Sequence, residues 1–441
     1  MAAPASTADP RPAAPQLVRA IGRGDFTAAI INAVIGSSVF SLPSVLAGLT
    51  GTRSPLAYIA AGLGILTIML CVAEVASRFT EAGGPYLYAR EAFGRTVGFQ
   101  AGWLTFWIRV TAAAANLNVF IEYLGPLAPA LAQGPGRAAT LCAVMLVVTV
   151  VNLVGVRQGT WAVDALTLAK LVPLVLLIVI GLPRFSSAVL ATQAVADSDW
   201  TQAVLLLVFA YGGFESPLIA SGEVRDPRRD TAFALLVGLA VIASVYTLVQ
   251  LVTVGVVPSV AGVKAPLAVA FDRLIGRSGV LLVSLGAMIS TSGLVTGSVL
   301  QTPRLLYAMA ARHELPAVLG RIHPRFRTPD VAIIIYSALT LAFALYGSFQ
   351  WNATLSAIVR LVTYGSICIA LLVFRRRGES AGFRVPAAGV IAPLAIGFCA
   401  WLLSTRTFTQ AWILGVLMAV GWALGRLAGG AQGRVLTSPG G

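Results

Sequence analysis

Two glycine-rich stretches interrupt long apolar segments of this 441-residue chain: AVIGSSVFSLP at residues 33–43 and FAYGGFESP at residues 209–217. Irregular backbone in hydrocarbon leaves N–H and C=O groups unpaired, so it is tolerated only where protein shields it or a cavity borders it. A helix broken at mid-membrane exposes N–H groups and positive dipole at one new terminus, and carbonyls and negative dipole at the other. Two such breaks in corresponding parts of two halves indicate the substrate site of a carrier.

Two ionisable residues, Lys170 and Glu215, lie in apolar segments near this backbone chemistry. Lys170 is one of two lysines in the chain, about nine residues into its segment, and Glu215 follows the second break by two residues. A charge at a helix centre is disfavoured by about 2.5–3.5 kcal/mol and normally faces a cavity or a partner. Desolvation favours the neutral form of a lysine, so Lys170 can load and unload a proton, unless it snorkels to the interface. Glu215 can bind a cation, carry a proton or hydrogen-bond within the bundle.

Composition predicts that most of the chain lies in a membrane. Hydrophobic residues make up 57% and charged residues 11%, against roughly 25% charged in soluble proteins. The net charge is +14, but most Lys and Arg residues fall in the tails and in alternate loops on one side. This asymmetry predicts a multi-pass plasma or inner membrane protein with both termini cytoplasmic, and it does not fit nucleic-acid binding. The four cysteines and two histidines have no metal-ligand spacing, so neither a metal nor a cofactor is expected.

Apolar runs bounded by charge or by Pro/Gly clusters predict an all-α polytopic protein of about twelve transmembrane helices. The predicted spans are 25–48, 56–79, 98–124, 138–156, 161–182, 200–221, 232–256, 278–303, 331–347, 354–374, 387–404 and 409–427. Spans 1 and 6 carry the breaks and lie five spans apart, as a five-plus-five inverted repeat requires. The predicted organisation is a disordered cytoplasmic tail (1–24), a ten-helix transport core (25–374), two accessory helices (387–427) and a second cytoplasmic tail (428–441).

Several motifs in sequence order carry a resemblance to a known family. They are AEVASRFTEAGGPYLYAREAFG (73–94), FAYGGFESPLIASGEVRDPRRD (209–230), LQTPRLLYAMAARHELP (300–316) and RIHPRFRTPD (321–330). Together they resemble the amino acid–polyamine–organocation family of permeases, and its bacterial proton-coupled members in particular, over about residues 22–375. The third motif has one alanine more than the commonest form. The resemblance implies the leucine-transporter-like fold, with broken helices 1 and 6, and an amino acid substrate.

A zwitterionic amino acid needs both kinds of exposed helix terminus. The predicted substrate-binding residues are Val34, Ile35, Gly36, Ser37, Ser38, Val39, Phe209, Ala210, Tyr211, Gly212 and Gly213. The N–H groups expected to hold the α-carboxylate are those of Ser37, Ser38 and Val39. The carbonyls expected to hold the α-ammonium are those of Val34, Ile35, Phe209 and Gly212. Ser38 replaces the last glycine of the usual Gly-Ser-Gly triplet and narrows the approach, whereas Phe209 and Tyr211 form an aromatic lid or pack in the core.

The resemblance also implies how transport is driven. In several proton-coupled members, a lysine of span 5 takes the place of sodium and contacts span 1 carbonyls and span 8 hydroxyls. The residues predicted to take part in proton coupling are Lys170, Glu215, Ser290, Thr291 and Ser292. The other intramembrane cations, Arg109 and Arg360, are expected to have structural roles, such as pairing with Glu122, Asp164 or Glu215.

The predicted function is proton-coupled symport of neutral L-amino acids by alternating access, with the substrate, the proton and the lipid bilayer as partners. The alternative is an obligate exchanger of cationic amino acids or polyamines, which Glu215 leaves open. A transport-inactive nutrient sensor would have little room for signalling in tails of this length. No His-Glu-x-x-His helix, nucleophile elbow or phosphate-binding loop occurs in the sequence, so an enzyme is not expected.

Overall fold

The protein is described here by a computed structural model that covers residues 20–79, 83–155, 160–219 and 223–435. Of the predicted tails, residues 1–19 and 436–441 therefore lie outside the described residues. Helices α1 to α9 are Arg23–Val34, Ser38–Thr50, Ser54–Ala76, Gly84–Phe93, Arg95–Leu124, Pro129–Ala132, Gly134–Val154, Thr160–Gly181 and Ser187–Ala191. Helices α10 to α18 are Trp200–Tyr211, Glu215–Ile219, Pro227–Val256, Pro266–Ile275, Arg277–Ala311, Asp330–Tyr346, Phe349–Arg376, Ala388–Ser404 and Phe408–Val435.

The helices have the length and apolarity of a polytopic membrane protein. Among the residues that the structure describes, seven stretches satisfy both criteria for crossing a bilayer: Ser38–Ala76, Arg95–Leu124, Gly134–Val154, Pro227–Val256, Arg277–Ala311, Phe349–Arg376 and Phe408–Arg426. Three shorter apolar helices, α10, α15 and α17, accompany them. Over the described ranges, all regular secondary structure is helical, apart from one isolated β-bridge between Ile21 and Val224. The count of twelve spans and the inverted repeat remain predictions.

Helical structure is interrupted twice where the glycine-rich stretches lie. The first interruption, at residues 35–37, separates α1 from α2, because Ile35 takes an extended conformation with φ −68° and ψ 95°. The second, at residues 212–214, separates α10 from α11. Gly213 has φ +115°, a backbone conformation that residues other than glycine rarely adopt. Each interruption therefore turns one apolar segment into two half-helices.

The four half-helices pair across the two interruptions. Helix α2 packs against α10, and α1 packs against α11. We call these two regions the α2–α10 end and the α1–α11 end. Helix α5 packs against α14, α15 and α16, while α3 packs against α10, α12 and α16. Of the long helices, α12 packs against α1 and α2, while α3 and α16 pack against α10.

The α1–α11 end is fastened by backbone and charge contacts. The Ile21 N–H donates to the Glu223 carbonyl at 3.0 Å, and the Arg225 N–H donates to the Ile21 carbonyl at 3.0 Å. An ion pair between Arg23 and Asp230, at 2.6 Å, joins the start of α1 to the start of α12. The segment before α1 is therefore held against the connection that follows α11.

A buried carboxylate joins α3, α16 and the segment before α17. Glu74 is fully buried and forms ion pairs with Arg78 at 2.8 Å and with Arg375 at 2.5 Å. It also accepts a hydrogen bond from the Val385 N–H at 2.8 Å. Because its charge is matched and its oxygens are bonded, Glu74 stabilises the packing of these elements and is not available for a ligand.

Candidate functional site

At the first interruption, the N–H groups that begin α2 are buried and free. Within the described chain, the backbone N–H groups of Ser37, Ser38 and Val39 donate to no acceptor, whereas those of the next residues bond back to the Ser37 carbonyl. The Gly36 N–H is directed at the Tyr246 hydroxyl. The Ser37 hydroxyl is also buried and has no partner there. Buried backbone donors are almost always paired in folded proteins. This turn therefore has a high capacity to bind an anionic group.

The carbonyls on the other side of the same interruption are already engaged by side chains. The Lys170 ammonium, on α8, donates to the carbonyls of Asn32 at 2.5 Å and Ile35 at 2.9 Å. The Tyr246 hydroxyl, on α12, donates to the Val34 carbonyl at 3.0 Å and accepts from the Ser38 hydroxyl, with the two oxygens 3.2 Å apart. The exposed C-terminus of α1 is thus neutralised by one cation and one hydroxyl, both from other helices.

The second interruption lies directly against the first. A Cβ atom at Gly213 would be 2.6 Å from the Ala33 carbonyl oxygen, so the two backbones meet without room for a side chain. The Tyr246 hydroxyl also lies 3.4 Å from the Ala210 carbonyl. Tyr246 therefore contacts the last turn of α1, the first turn of α2 and the last turn of α10. Sequence reasoning did not identify this residue, since a tyrosine in an apolar helix has no distinctive local pattern.

A buried ion pair completes the second interruption. Glu215, the first residue of α11, pairs with Arg360 of α16, and both side chains are nearly inaccessible. The second carboxylate oxygen accepts hydrogen bonds from the Gly213 N–H at 2.9 Å and from the Tyr364 hydroxyl at 3.1 Å. A methyl group at Gly212 would overlap the Arg360 guanidinium. Of the three carboxylates that the sequence offered as partners for Arg360, the structure therefore pairs it with Glu215.

Arg109, halfway along α5, contacts the segment beyond the second interruption. Its guanidinium donates to the hydroxyl of Ser216 on α11, and its backbone carbonyl accepts from the Tyr336 hydroxyl at 3.0 Å. Across the part of the chain that the structure describes, Arg109 forms no ion pair with a carboxylate. Glu122, another residue considered as its partner, is bonded instead to the Ser41 hydroxyl of α2. Asp164 lies where side chains are not described.

The two aromatic residues of the second interruption differ in their surroundings. Tyr211 is fully buried and donates to the Tyr58 carbonyl at 2.9 Å, which ties α10 to α3. Phe209 is 7% exposed and packs edge-on against Phe349, with ring centroids 6.0 Å apart. Phe209 is therefore the better placed of the two to border a bound ligand, while Tyr211 packs in the core.

The three hydroxyl residues of α14 also differ from one another. Thr291 donates to the Ala287 carbonyl of its own helix at 2.8 Å, and Ser292 is half-buried. The Ser290 hydroxyl is buried and has no partner within the described residues. Ser290 is therefore the one of the three with a free buried hydroxyl, and its helix α14 packs against α8, which carries Lys170.

Sequence comparison identifies the relatives of this chain. The model of a family described as amino acid permease matches residues 21–422. The serine/threonine exchanger SteT of Bacillus subtilis is 28% identical over 89% of this chain and 92% of its own length. The methylthioribose transporter of the same bacterium is 25% identical over 88% of each chain. The arginine/ornithine antiporter of Pseudomonas aeruginosa is 28% identical over 68% of this chain and 65% of its own length.

Proposed function

The chain belongs to the amino acid permease family, whose members are transporters and not enzymes, and from this premise we propose that it imports neutral L-amino acids by proton-coupled alternating access. The proposed location is the plasma or inner membrane, with both termini in the cytoplasm. The proposed transport core spans residues 25–374, and residues 387–427 form two accessory helices. The observation that carries the proposal is the set of free, buried N–H groups at the start of α2.

The substrate α-carboxylate binds, in this proposal, to the N–H groups of Ser37, Ser38 and Val39. Three features support this role: the N–H groups are unpaired, they stand at the positive end of a 13-residue helix, and the free Ser37 hydroxyl lies beside them. The side chain of Ser38 is held by Tyr246, so its backbone N–H keeps a fixed position. A side chain at Gly36 would crowd this turn, because a Cβ atom there would lie 3.2 Å from a methyl carbon of Leu294.

The α-ammonium binds to carbonyls that flank both interruptions. Those of Val34 and Ile35 each accept one hydrogen bond already, and each retains a second lone pair. The Phe209 carbonyl accepts from the Gly212 N–H at 3.2 Å and retains the same capacity. Phe209, Ala210, Gly212 and Gly213 form the other wall of the proposed site, to which Tyr211 contributes its backbone, because its side chain packs in the core. A neutral substrate side chain is supported by Glu215, because this carboxylate is already paired and so does not attract a cation.

Lys170 carries the proton in this proposal. Its ammonium is buried, and the partners the structure gives it are the neutral carbonyls of Asn32 and Ile35. The protonated form bridges α8 to the end of α1, whereas the deprotonated amine donates fewer hydrogen bonds and weakens that bridge. Protonation is thus linked to the position of the helix that borders the substrate. In this proposal Ser290, with Thr291 and Ser292 beside it, supplies the span 8 hydroxyls that contact the Lys170 cation. Glu215 has a structural role and does not carry the proton.

Exchange is the second candidate function, because two of the relatives are named as an exchanger and an antiporter. A single assay separates the two. Purified protein in sodium-free proteoliposomes is given labelled L-serine, L-threonine, L-alanine, L-leucine or L-arginine, with or without an inward proton gradient and with or without internal amino acid. Uptake of neutral amino acids above equilibrium that requires the gradient supports proton symport. Uptake that ignores the gradient and requires internal substrate establishes exchange, and transport of none of the five contradicts the proposal.

A further inference from the structure

A second cation, besides Lys170, lies inside the bundle and forms no ion pair with a carboxylate of the described residues. Arg109 is the fifteenth residue of the 30-residue helix α5, and its described side-chain hydrogen bond goes to the neutral hydroxyl of Ser216. An unpaired guanidinium at this depth is costly, and such residues normally face a cavity or a substrate pathway. The position of Arg109 therefore requires a reason beyond packing.

The Glu215 carboxylate attracts Arg109 electrostatically but forms no ion pair with it. Glu215 precedes Ser216 by one residue, but its two oxygens are taken by Arg360, Tyr364 and the Gly213 N–H. The group around α11 consequently holds two guanidiniums and one carboxylate. One positive charge remains uncompensated among the described residues, and it belongs to Arg109.

Arg109 is also more accessible than its two chain neighbours. Its neighbours Ile108 and Val110 are 2% and 0% exposed, whereas Arg109 itself is partly exposed. Its contact with Ser216 places the guanidinium one helical turn beyond Gly213 along α11. This position is at the α1–α11 end, whereas the free N–H groups belong to α2 and so to the opposite end.

We propose that Arg109, together with the Ser216 hydroxyl, forms a second carboxylate-binding subsite at the α1–α11 end, which receives the substrate α-carboxylate after it leaves the N–H groups of α2. This inference rests on the proposed transport of amino acids. The planar guanidinium fork matches a carboxylate in a two-bond geometry that lysine does not reproduce. The subsite lets the substrate pass between two groups of donors without its carboxylate losing all partners in a medium of low polarity.

The test measures affinity separately from the two sides of the membrane. Vesicles with one protein orientation, established by protease access to a C-terminal tag, give the Michaelis constant for labelled L-serine from each side. Removing a charge-assisted hydrogen-bond donor lowers affinity about ten- to a hundredfold. We expect Arg109→Gln to raise the constant by about that factor at the α1–α11 side and to leave the constant at the α2–α10 side within twofold.

Two variants complete the design. Arg109→Lys keeps the charge but not the fork, and a smaller rise confined to the same side is expected. Arg304→Gln is the matched control, because Arg304 is an exposed arginine that bonds to a carbonyl of its own helix, and both constants should stay unchanged. If Arg109→Gln does not fold, Arg109→Lys decides the question: a one-sided rise supports the subsite, and two unchanged constants overturn it.

Three outcomes overturn the subsite while the proposed function stands. The first is an equal rise of the Michaelis constant on both sides in Arg109→Gln. The second is a loss of maximum rate in that variant with both Michaelis constants unchanged. The third is a rise of the Michaelis constant on one side in the wild-type protein when chloride is replaced by gluconate. The last result would mean that Arg109 holds an inorganic anion. A wild-type protein that transports none of the amino acids tested contradicts the proposed function itself, so the two failures are distinguishable.

Discussion

At the first helix interruption, side chains from α8 and α12 donate to the carbonyls that end α1, and the N–H groups that begin α2 stay free. At the second interruption, the Glu215 carboxylate accepts from the Gly213 N–H and is itself held by Arg360. Both arrangements compensate irregular backbone within a membrane. The difference lies in which groups remain available. The first interruption retains donors for a ligand, and the second is fixed by a closed network, which supports a binding role for one and an anchoring role for the other.

Breaking the ion pair at the second interruption tests the anchoring role and should have the largest effect. Removing one partner of a buried pair costs about 3–5 kcal/mol, because the remaining charge has no compensation. We expect Glu215→Ala to lower the midpoint of thermal unfolding in detergent strongly and to abolish transport. The matched variant Glu379→Ala removes an exposed carboxylate, 3.8 Å from Arg377, and should have little effect. A Glu215→Ala protein of normal stability would show that the network does not anchor the interruption.

Removing the cation of the first interruption tests whether Lys170 drives transport. We expect Lys170→Ala to bind substrate partly but to lose accumulation that depends on the proton gradient, because the bridge to the Asn32 and Ile35 carbonyls no longer responds to protonation. Uptake with and without the gradient, at matched protein amounts, is the measurement. Lys264, the other lysine, is exposed, so Lys264→Ala is the control. Unchanged gradient-driven accumulation in Lys170→Ala would exclude the coupling role.

Tyr246 contacts both interruptions, and its hydroxyl offers a smaller test of the comparison. Tyr246→Phe keeps the ring but removes the donor to Val34 and the acceptor for Ser38. We expect a loss of about 1–3 kcal/mol in stability, since a buried carbonyl is left without its partner. Substrate affinity should also fall, because the first turn of α2 loses a contact that positions it. A thermal unfolding midpoint and an L-serine affinity that both equal wild type would contradict this role.

The smallest effect is expected from Ser38, the residue that departs from the usual glycine of the family. Ser38→Gly removes a side chain from the first turn of α2, and we expect the range of accepted substrate sizes to widen with little loss of stability. Competition of a series from glycine to tryptophan against labelled L-serine measures this range. An identical competition profile in the variant would show that Ser38 does not border the bound substrate.

The sequence alone was sufficient to locate the interruptions, because glycine pairs and serines within apolar segments leave a local signal. It was also sufficient to single out Lys170, since a lysine deep in an apolar helix is costly and therefore conspicuous. The pairing of Glu215 with Arg360 was one of several open alternatives, because these residues are 145 positions apart and the rotation of α16 is set by packing. Tyr246 and Tyr364 were missed for a related reason: their hydroxyls act through partners on other helices, and no nearby residue reveals them.

The bridge between Ile21 and Val224 gives the broken helices a mechanical property. This bridge and the Arg23–Asp230 ion pair join the start of α1 to the chain on either side of Val224. The start of α1 and the connection that follows α11 are therefore held together. We expect a movement of the start of α1 to be accompanied by a movement of this connection. At the other end of the broken helices, the Asp199 N–H before α10 donates to the Leu49 carbonyl of α2 at 2.9 Å. We expect two spectroscopic labels placed on either side of the Ile21–Val224 bridge to keep a constant distance through a transport cycle. That distance can serve as the reference for measuring movement elsewhere in the protein.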